Sequence, residues 1–183
     1  CQQPVLQVLV ENEPYRERAL EKIGLGSAQP LLASFFASFE DQLTDAEIQV
    51  LFAQMASNGN LLGLAFLQQR CACKLTCADF IEAFAAAVQK NQLPVLEYLL
   101  VQKEFKRVFL PSKLRILTAA IHASDSRALH WLKKHYYFWK SLRHDDSFRE
   151  NIRRYYYSQT VAAANRRWLA KEFPFVQEIV HSS

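Results

Sequence analysis

Phe80-Ile-Glu-Ala-Phe-Ala-Ala-Ala-Val-Gln-Lys-Asn-Gln-Leu-Pro-Val-Leu-Glu-Tyr-Leu99 reads as an Ala-rich helix, a polar turn and a second helix that ends on an aromatic residue and Leu. A step of about 33 residues back lays Ile48-Gln-Val-Leu-Phe-Ala-Gln-Met-Ala-Ser-Asn-Gly-Asn-Leu-Leu-Gly-Leu-Ala-Phe-Leu67 over it. A similar step forward brings in Leu114-Arg-Ile-Leu-Thr-Ala-Ala-Ile-His-Ala-Ser-Asp-Ser-Arg-Ala-Leu-His-Trp-Leu132. A unit that cannot bury its own apolar face must stack on its neighbours. The pattern therefore predicts an all-α fold, a helical solenoid of helix-turn-helix units, whose usual work is to present an extended surface to a partner. Binding is expected ahead of catalysis.

Local signals agree with that register. Thr44-Asp-Ala-Glu47 is a capping-box pattern, Thr76 to Asp79 a second version, and Pro111-Ser112 suits the start of the third unit. Asn58-Gly59-Asn60, Lys90-Asn91-Gln92 and Ser124-Asp125-Ser126 separate the two helices of each unit with residues that stop helices and tolerate tight turns. Pro94 falls in an opening turn, where its missing N–H costs nothing. Small residues recur in the first helices (Ala53, Ala56; Ala85, Ala86, Ala87; Ala119, Ala120). Large ones recur in the second (Leu64, Phe66, Leu67; Leu96, Tyr98, Leu99; Leu129, Trp131, Leu132), as interdigitating layers require.

Outward from the repeats, residues 1–44 read as an N-terminal helical cap. A short helix runs from Pro14 to Lys22, Gly24 to Gln29 form a loop, and an apolar helix from Leu31 to Gln42 carries Phe35, Phe36 and Phe39 on one face. Residues 45–135 hold three repeats. Residues 136–183 form an irregular basic and aromatic fourth repeat and cap, in which Trp168-Leu169 mirrors Trp131-Leu132, Ile152 to Tyr157 supply the preceding helix and Pro174 ends the unit. All three regions are expected to share one continuous core.

With 183 residues, half of them apolar, and only 4 Gly and 6 Pro, disordered and fibrous classes are excluded. Apolar runs such as Leu31 to Phe39 fall short of the roughly 18 residues of a membrane span. Cys1, Cys71, Cys73 and Cys77 are too clustered for a spread disulfide framework, which favours a reducing, intracellular (cytosolic) setting. The sequence opens without Met or a secretory leader, so either a segment excised from a longer protein or a processed product is expected. The formal charge of +4 hides an asymmetry: 6 Lys and Arg against 11 Asp and Glu through Leu100, then 16 against 7. Such a dipolar chain steers acidic partners towards its C-terminal half.

Leu51-Phe-Ala-Gln-Met-Ala-Ser-Asn-Gly-Asn60 and Ala85-Ala-Ala-Val-Gln-Lys-Asn-Gln-Leu-Pro-Val-Leu-Glu-Tyr-Leu-Leu100 resemble ankyrin repeats, in which the turn Gly follows the Ala-rich helix and a Leu-Leu pair closes the second. The resemblance covers roughly Ala46 to His135, and the Thr-Pro-Leu-His opening of that family is absent. It implies a protein-binding role without naming the partner. Worn repeats of this kind are similar to those of bacterial effector proteins that act in a host cytosol, and of some viral proteins.

No catalytic motif is present: there is no Gly-x-Ser-x-Gly, no His-Glu-x-x-His and no glycine-rich phosphate loop. No catalytic residue, metal ligand or cofactor is assigned. Cys71, Cys73 and Cys77 have zinc-binding chemistry but lack the Cys-x2-Cys spacing, and buried thiols of a connector are the simpler reading. His122, His130, His135 and His144 gather near Asp125, Asp145 and Asp146. An enzyme site in this region is the third reading, after turn-capping and solvated roles. Tyr136 to Trp139 and Tyr155 to Tyr157 alternate with Lys133, Lys134, Lys140, Arg143, Arg149, Arg153, Arg154, Arg166 and Arg167, a composition that anchors protein partners or stacks bases and clasps phosphates.

The functional expectation is a noncatalytic protein-interaction module. It would present Lys103, Lys106, Arg107, Arg115, Arg153, Arg154, Tyr155 and Tyr156 to an acidic protein surface. The alternative is a domain that binds nucleic acid or anionic phospholipid through the same positive half.

Overall fold

Helix starts follow from the capping residues. In the computed structural model, which describes residues 43–102, 112–135 and 146–177, Glu47 N donates to Thr44 Oγ1 at 3.3 Å and Thr44 N donates to Glu47 Oε2 at 2.8 Å. Helix α1 (Asp45–Ser57) starts on this reciprocal pair. Thr76 and Asp79 form the same box, with Thr76 N on Asp79 Oδ2 at 2.6 Å, and open α3 (Cys77–Gln89). Pro94 lies in the first turn of α4 (Leu93–Leu100).

Helix stops follow from residues that tolerate a left-handed backbone. After α1, Gly59 has φ 76°, Asn60 N donates to Met55 O at 2.9 Å and Gly59 N donates to Ala56 O at 3.3 Å. After α3, Asn91 takes the equivalent place with φ 55°, and Gln92 N and Asn91 N close on Ala87 O and Val88 O at 2.9 and 3.1 Å. Both are Schellman closures, and Gly and Asn are the residues that enter this region most readily. Helix α2 (Leu61–Arg70) follows the first turn with Asn60 as its cap, the Asn60 side chain accepting from Gly63 N at 2.9 Å.

The remaining described elements are α5 (Lys113–Ile121), α6 (Arg127–Lys134), α7 (Asp146–Tyr157), α8 (Ala163–Glu172) and a 3₁₀ turn (Pro174–Val176). The fold is all-α, with eight helices and no strand among the described residues. The residues assigned to an N-terminal cap, apart from Leu43 and Thr44, lie outside those described, as does the run Tyr136 to Trp139.

Packing runs from pair to pair. Helix α3 lies between α1 and α5 and makes its most extensive contacts with them, while α2 meets α4 on the flank. The first helices therefore form the central layer, and their open face narrows to a stripe that includes Val50, Glu82 and Arg115. Ile48, Leu51, Phe52, Met55, Ala83, Phe84, Ala87, Ile116, Leu117 and Ala120 are fully buried in it, and Phe52 meets Phe80 edge-on at 5.1 Å. In the second helices Leu64 and Leu67, Leu96 and Leu99, and Leu129 and Leu132 point inward in the same register. Phe66, Tyr98 and Trp131 share one position at the margin of the core.

Polar side chains tie one helix pair to the next. Gln68 Nε2 donates to Gln102 Oε1 at 2.8 Å across 34 residues, and Tyr98 Oη donates to Gln68 Oε1 at 2.6 Å. Gln92 Nε2 donates to Ser57 O at 3.1 Å, and Ala128 N donates to Asn91 Oδ1 at 3.0 Å. The third turn has no left-handed residue: Ala123 N reaches Ala120 O at 3.3 Å without the longer Schellman bond. Asn165 of α8 supplies what is missing. It is fully buried, and its amide donates to Ile121 O and Ala123 O at 2.9 and 2.8 Å, joining the fourth helix pair to the third.

His135 ends α6 with its ring 4.0 Å from that of Trp131. Burial, with the Lys134 charge next, holds its imidazole below the usual 6.5, and Glu97 partly opposes this. The folded state thus prefers the neutral ring. Its contribution to stability is complete above about 6.5 and shrinks as pH falls through the lower folded value. An NMR titration should place His135 below 6.5, with Lys134→Gln raising the midpoint and Glu97→Gln lowering it further; a midpoint above 6.5 would contradict the desolvated setting.

Candidate partner-binding surface

The expected binding residues fall into distinct settings. Lys103, Lys106 and Arg107 lie outside the described residues. Arg115 is exposed on α5, and its guanidinium forms an ion pair with Glu82 of α3. The acidic and basic halves therefore touch along the outer stripe of the first helices, and Arg115 presents a partly neutralised charge. Arg153 pairs at 3.8 Å with Glu150 one turn earlier, while the guanidinium groups of Arg149 and Arg153 lie 4.9 and 5.6 Å from the centre of the Phe175 ring. Stacked this way, their stems cover the 3₁₀ turn. Arg154 is exposed.

The tyrosines divide as well. Thr118 Oγ1 donates to Leu114 O at 2.9 Å, which uses its only hydrogen. The 3.1 Å contact between Thr118 and Tyr155 therefore has the Tyr155 hydroxyl as donor. With His122 packed edge-on at 5.5 Å, Tyr155 holds α7 against α5. Tyr156, half-buried against the core, and the exposed Tyr157 have their rings 5.1 Å apart at 78°, and the Tyr157 hydroxyl donates to Val176 O at 3.0 Å.

Those two rings wall an open groove of about 1040 Å³ along α8. Ala163, Arg166, Arg167, Ala170, Lys171 and Gln177 complete its lining, in which the short alanine side chains make an apolar floor between the longer cationic ones. The helical period explains the division of α8. Asn165, Trp168 and Leu169 are buried, so positions 163, 166, 167, 170 and 171 fall on the opposite face. None of the three cations has a carboxylate partner among the described residues. Glu172, the nearest acid in sequence, is taken by Lys133 at 2.5 Å.

The described members of the His-rich region take separate partners. His130 Nδ1 lies 2.7 Å from Ser126 O, His122 packs on Tyr155 and His135 on Trp131. Asp125 accepts from Arg127 N at 2.8 Å and pairs with its guanidinium, while His144 and Asp145 lie outside the described residues. Cys71 is buried, Cys77 half-buried and Cys73 exposed. No group of three His, Cys, Asp or Glu side chains able to hold a metal ion occurs among the described residues.

No family model, curated protein or solved structure matches this chain. No helix among the described residues is long and apolar enough to cross a membrane.

Arg166, Arg167 and Tyr157 belong to the basic, aromatic patch read from the sequence. Lys171 and the alanine floor do not. Their signal is the spacing of Ala163, Arg167, Ala170 and Lys171 on one helical face, which becomes a groove only once Tyr156 and Tyr157 of α7 are set beside it.

Proposed function

We propose that this protein is a noncatalytic interaction module, an ankyrin-like stack of helix pairs that offers its basic, aromatic C-terminal unit to an acidic protein surface. The observation that carries this reading is the division of polar groups. Gln68, Asn91, Gln92, Tyr98, Gln102 and Asn165 join one helix pair to the next, whereas Arg154, Arg166, Arg167 and Lys171 of the fourth pair have no carboxylate partner among the described residues. The ankyrin-like part rests on side-chain bonds that recur across intervals of 33 to 37 residues and on the equivalent left-handed positions Gly59 and Asn91.

Nucleic acid is the less favoured ligand. Successive bases stack on parallel faces, and rings at 78° to one another offer no such platform. The immobilised chain should retain an acidic protein partner after nuclease treatment, and Arg154→Glu, at an exposed position, should slow its association while leaving the helical circular dichroism signal unchanged. Retention that disappears with nuclease, or binding whose logarithm falls steeply with the logarithm of salt concentration, would replace this reading with a phosphate-binding one.

A further inference from the structure

We infer that the groove along α8 is the seat of the ligand, and that it takes an extended acidic peptide segment carrying an apolar side chain. The inference rests on the protein-binding reading and names the site and the partner chemistry. Arg167 and Lys171 are four residues apart on one helical face, a rise of about 6 Å. Alternate side chains on one face of an extended chain repeat at about 6.8 Å, so carboxylates two residues apart meet the two cations in register. Arg166 stands beside them as a third donor group, and its planar fork suits a carboxylate held sideways.

The space between charges is apolar. Ala163 and Ala170 leave the helix backbone covered only by methyl groups, and Tyr156 and Tyr157 wall that floor. The Val176 carbonyl accepts from the Tyr157 hydroxyl, so this part of the wall is set before a ligand arrives. A bare polyanion leaves this floor unfilled. A peptide whose carboxylates are interspersed with a Phe or Leu fills the floor and neutralises the rim together. The apolar contact sets the lifetime of the complex, and the cations mainly set the rate of encounter.

The test is fluorescence anisotropy with the full chain and a short fluorescein-labelled peptide in which Glu and Asp flank a single Phe. Binding should weaken by about tenfold or more when the Glu and Asp are replaced by Gln and Asn, and again when Arg167→Glu and Lys171→Glu are combined. Ala163→Trp, at an exposed position, fills the floor without removing charge and should weaken binding to a similar degree with the helical signal unchanged. Failure of the acidic peptide to bind wild-type protein overturns the inference. Peptide binding that ignores Ala163→Trp and the α8 reversals but is lost with Arg154→Glu overturns the groove and leaves the protein-binding reading standing. Binding of oligothymidylate or phosphatidylserine vesicles in place of the peptide overturns both. Self-association of the chain that is lost with the α8 reversals puts a second copy in the groove, which also overturns the peptide.

Discussion

Asn165→Asp should be strongly destabilising, costing about 3 to 5 kcal/mol at neutral pH. Asn165 is fully buried, and its amide is the donor to Ile121 O and Ala123 O at 2.9 and 2.8 Å. A carboxylate at that place donates nothing and sets a negative charge against two carbonyl oxygens. Asn165 Oδ1 has no hydrogen-bond partner among the described residues, so no described donor is placed to compensate. Burial and the facing carbonyls would raise the pKa of the new carboxyl group above its unfolded value of about 3.9, because both disfavour the charged form. The defect is therefore full above the raised folded pKa and shrinks as pH falls through it, since the protonated group regains one O–H donor. Asn165→Ala, which leaves the two carbonyls unpaired but adds no charge, should cost about 2 to 3 kcal/mol with little pH dependence. Urea titrations of both variants at neutral and mildly acidic pH separate the two effects. An Asp variant as stable as wild type at neutral pH would mean that Asn165 does not hold the end of α5.

The legible parts of the fold are those decided within a few residues. Thr44-Asp-Ala-Glu47 and Thr76 to Asp79 begin helices because the reciprocal bonds of a capping box are local. Asn58-Gly59-Asn60 and Lys90-Asn91-Gln92 end them because a left-handed residue closes the last turn wherever it falls. Ser124-Asp125-Ser126 ends a helix too, but by a different device: its neighbouring carbonyls are satisfied by Asn165, more than 40 residues away. Nothing in the sequence near either residue announces that bond. Asn165 reads as an ordinary polar position in a short helix until α8 is laid against α5.

Charge was the least transferable signal. Counted along the chain, the two halves have opposite sign, yet the stacking of α5 on α3 brings Arg115 onto Glu82 and mixes those charges on one face. The packing of α7 on α5 bonds Tyr155 to Thr118, leaves Tyr156 half-buried between the core and the groove, and leaves Tyr157 exposed. Composition identified the fourth unit as basic and aromatic. Only the pairing of α7 with α8 sorts its members into those that hold the unit in place and those that line the groove.

Trp131→Ala should cost about 3 to 5 kcal/mol, through the transfer energy of the indole and the cavity it leaves. Trp131 is 8% exposed at the margin of the core, 6.1 Å from the ring of Phe84, and it joins α6 to the central helix α3. Its counterparts Phe66 and Tyr98 are less buried, so the corresponding truncations should cost less. Loss of stability should appear in urea as a lower midpoint at an unchanged slope, since the same surface is exposed on unfolding. A second readout distinguishes a cavity from general loosening. The indole lies 4.0 Å from the His135 imidazole and contributes to the desolvation that depresses its pKa, so Trp131→Ala should bring the His135 titration back towards 6.5. Trp131→Phe should keep part of the packing and part of the shift. A near-neutral Trp131→Ala with an unmoved His135 titration would place the ring on the surface and remove the tie between α6 and α3.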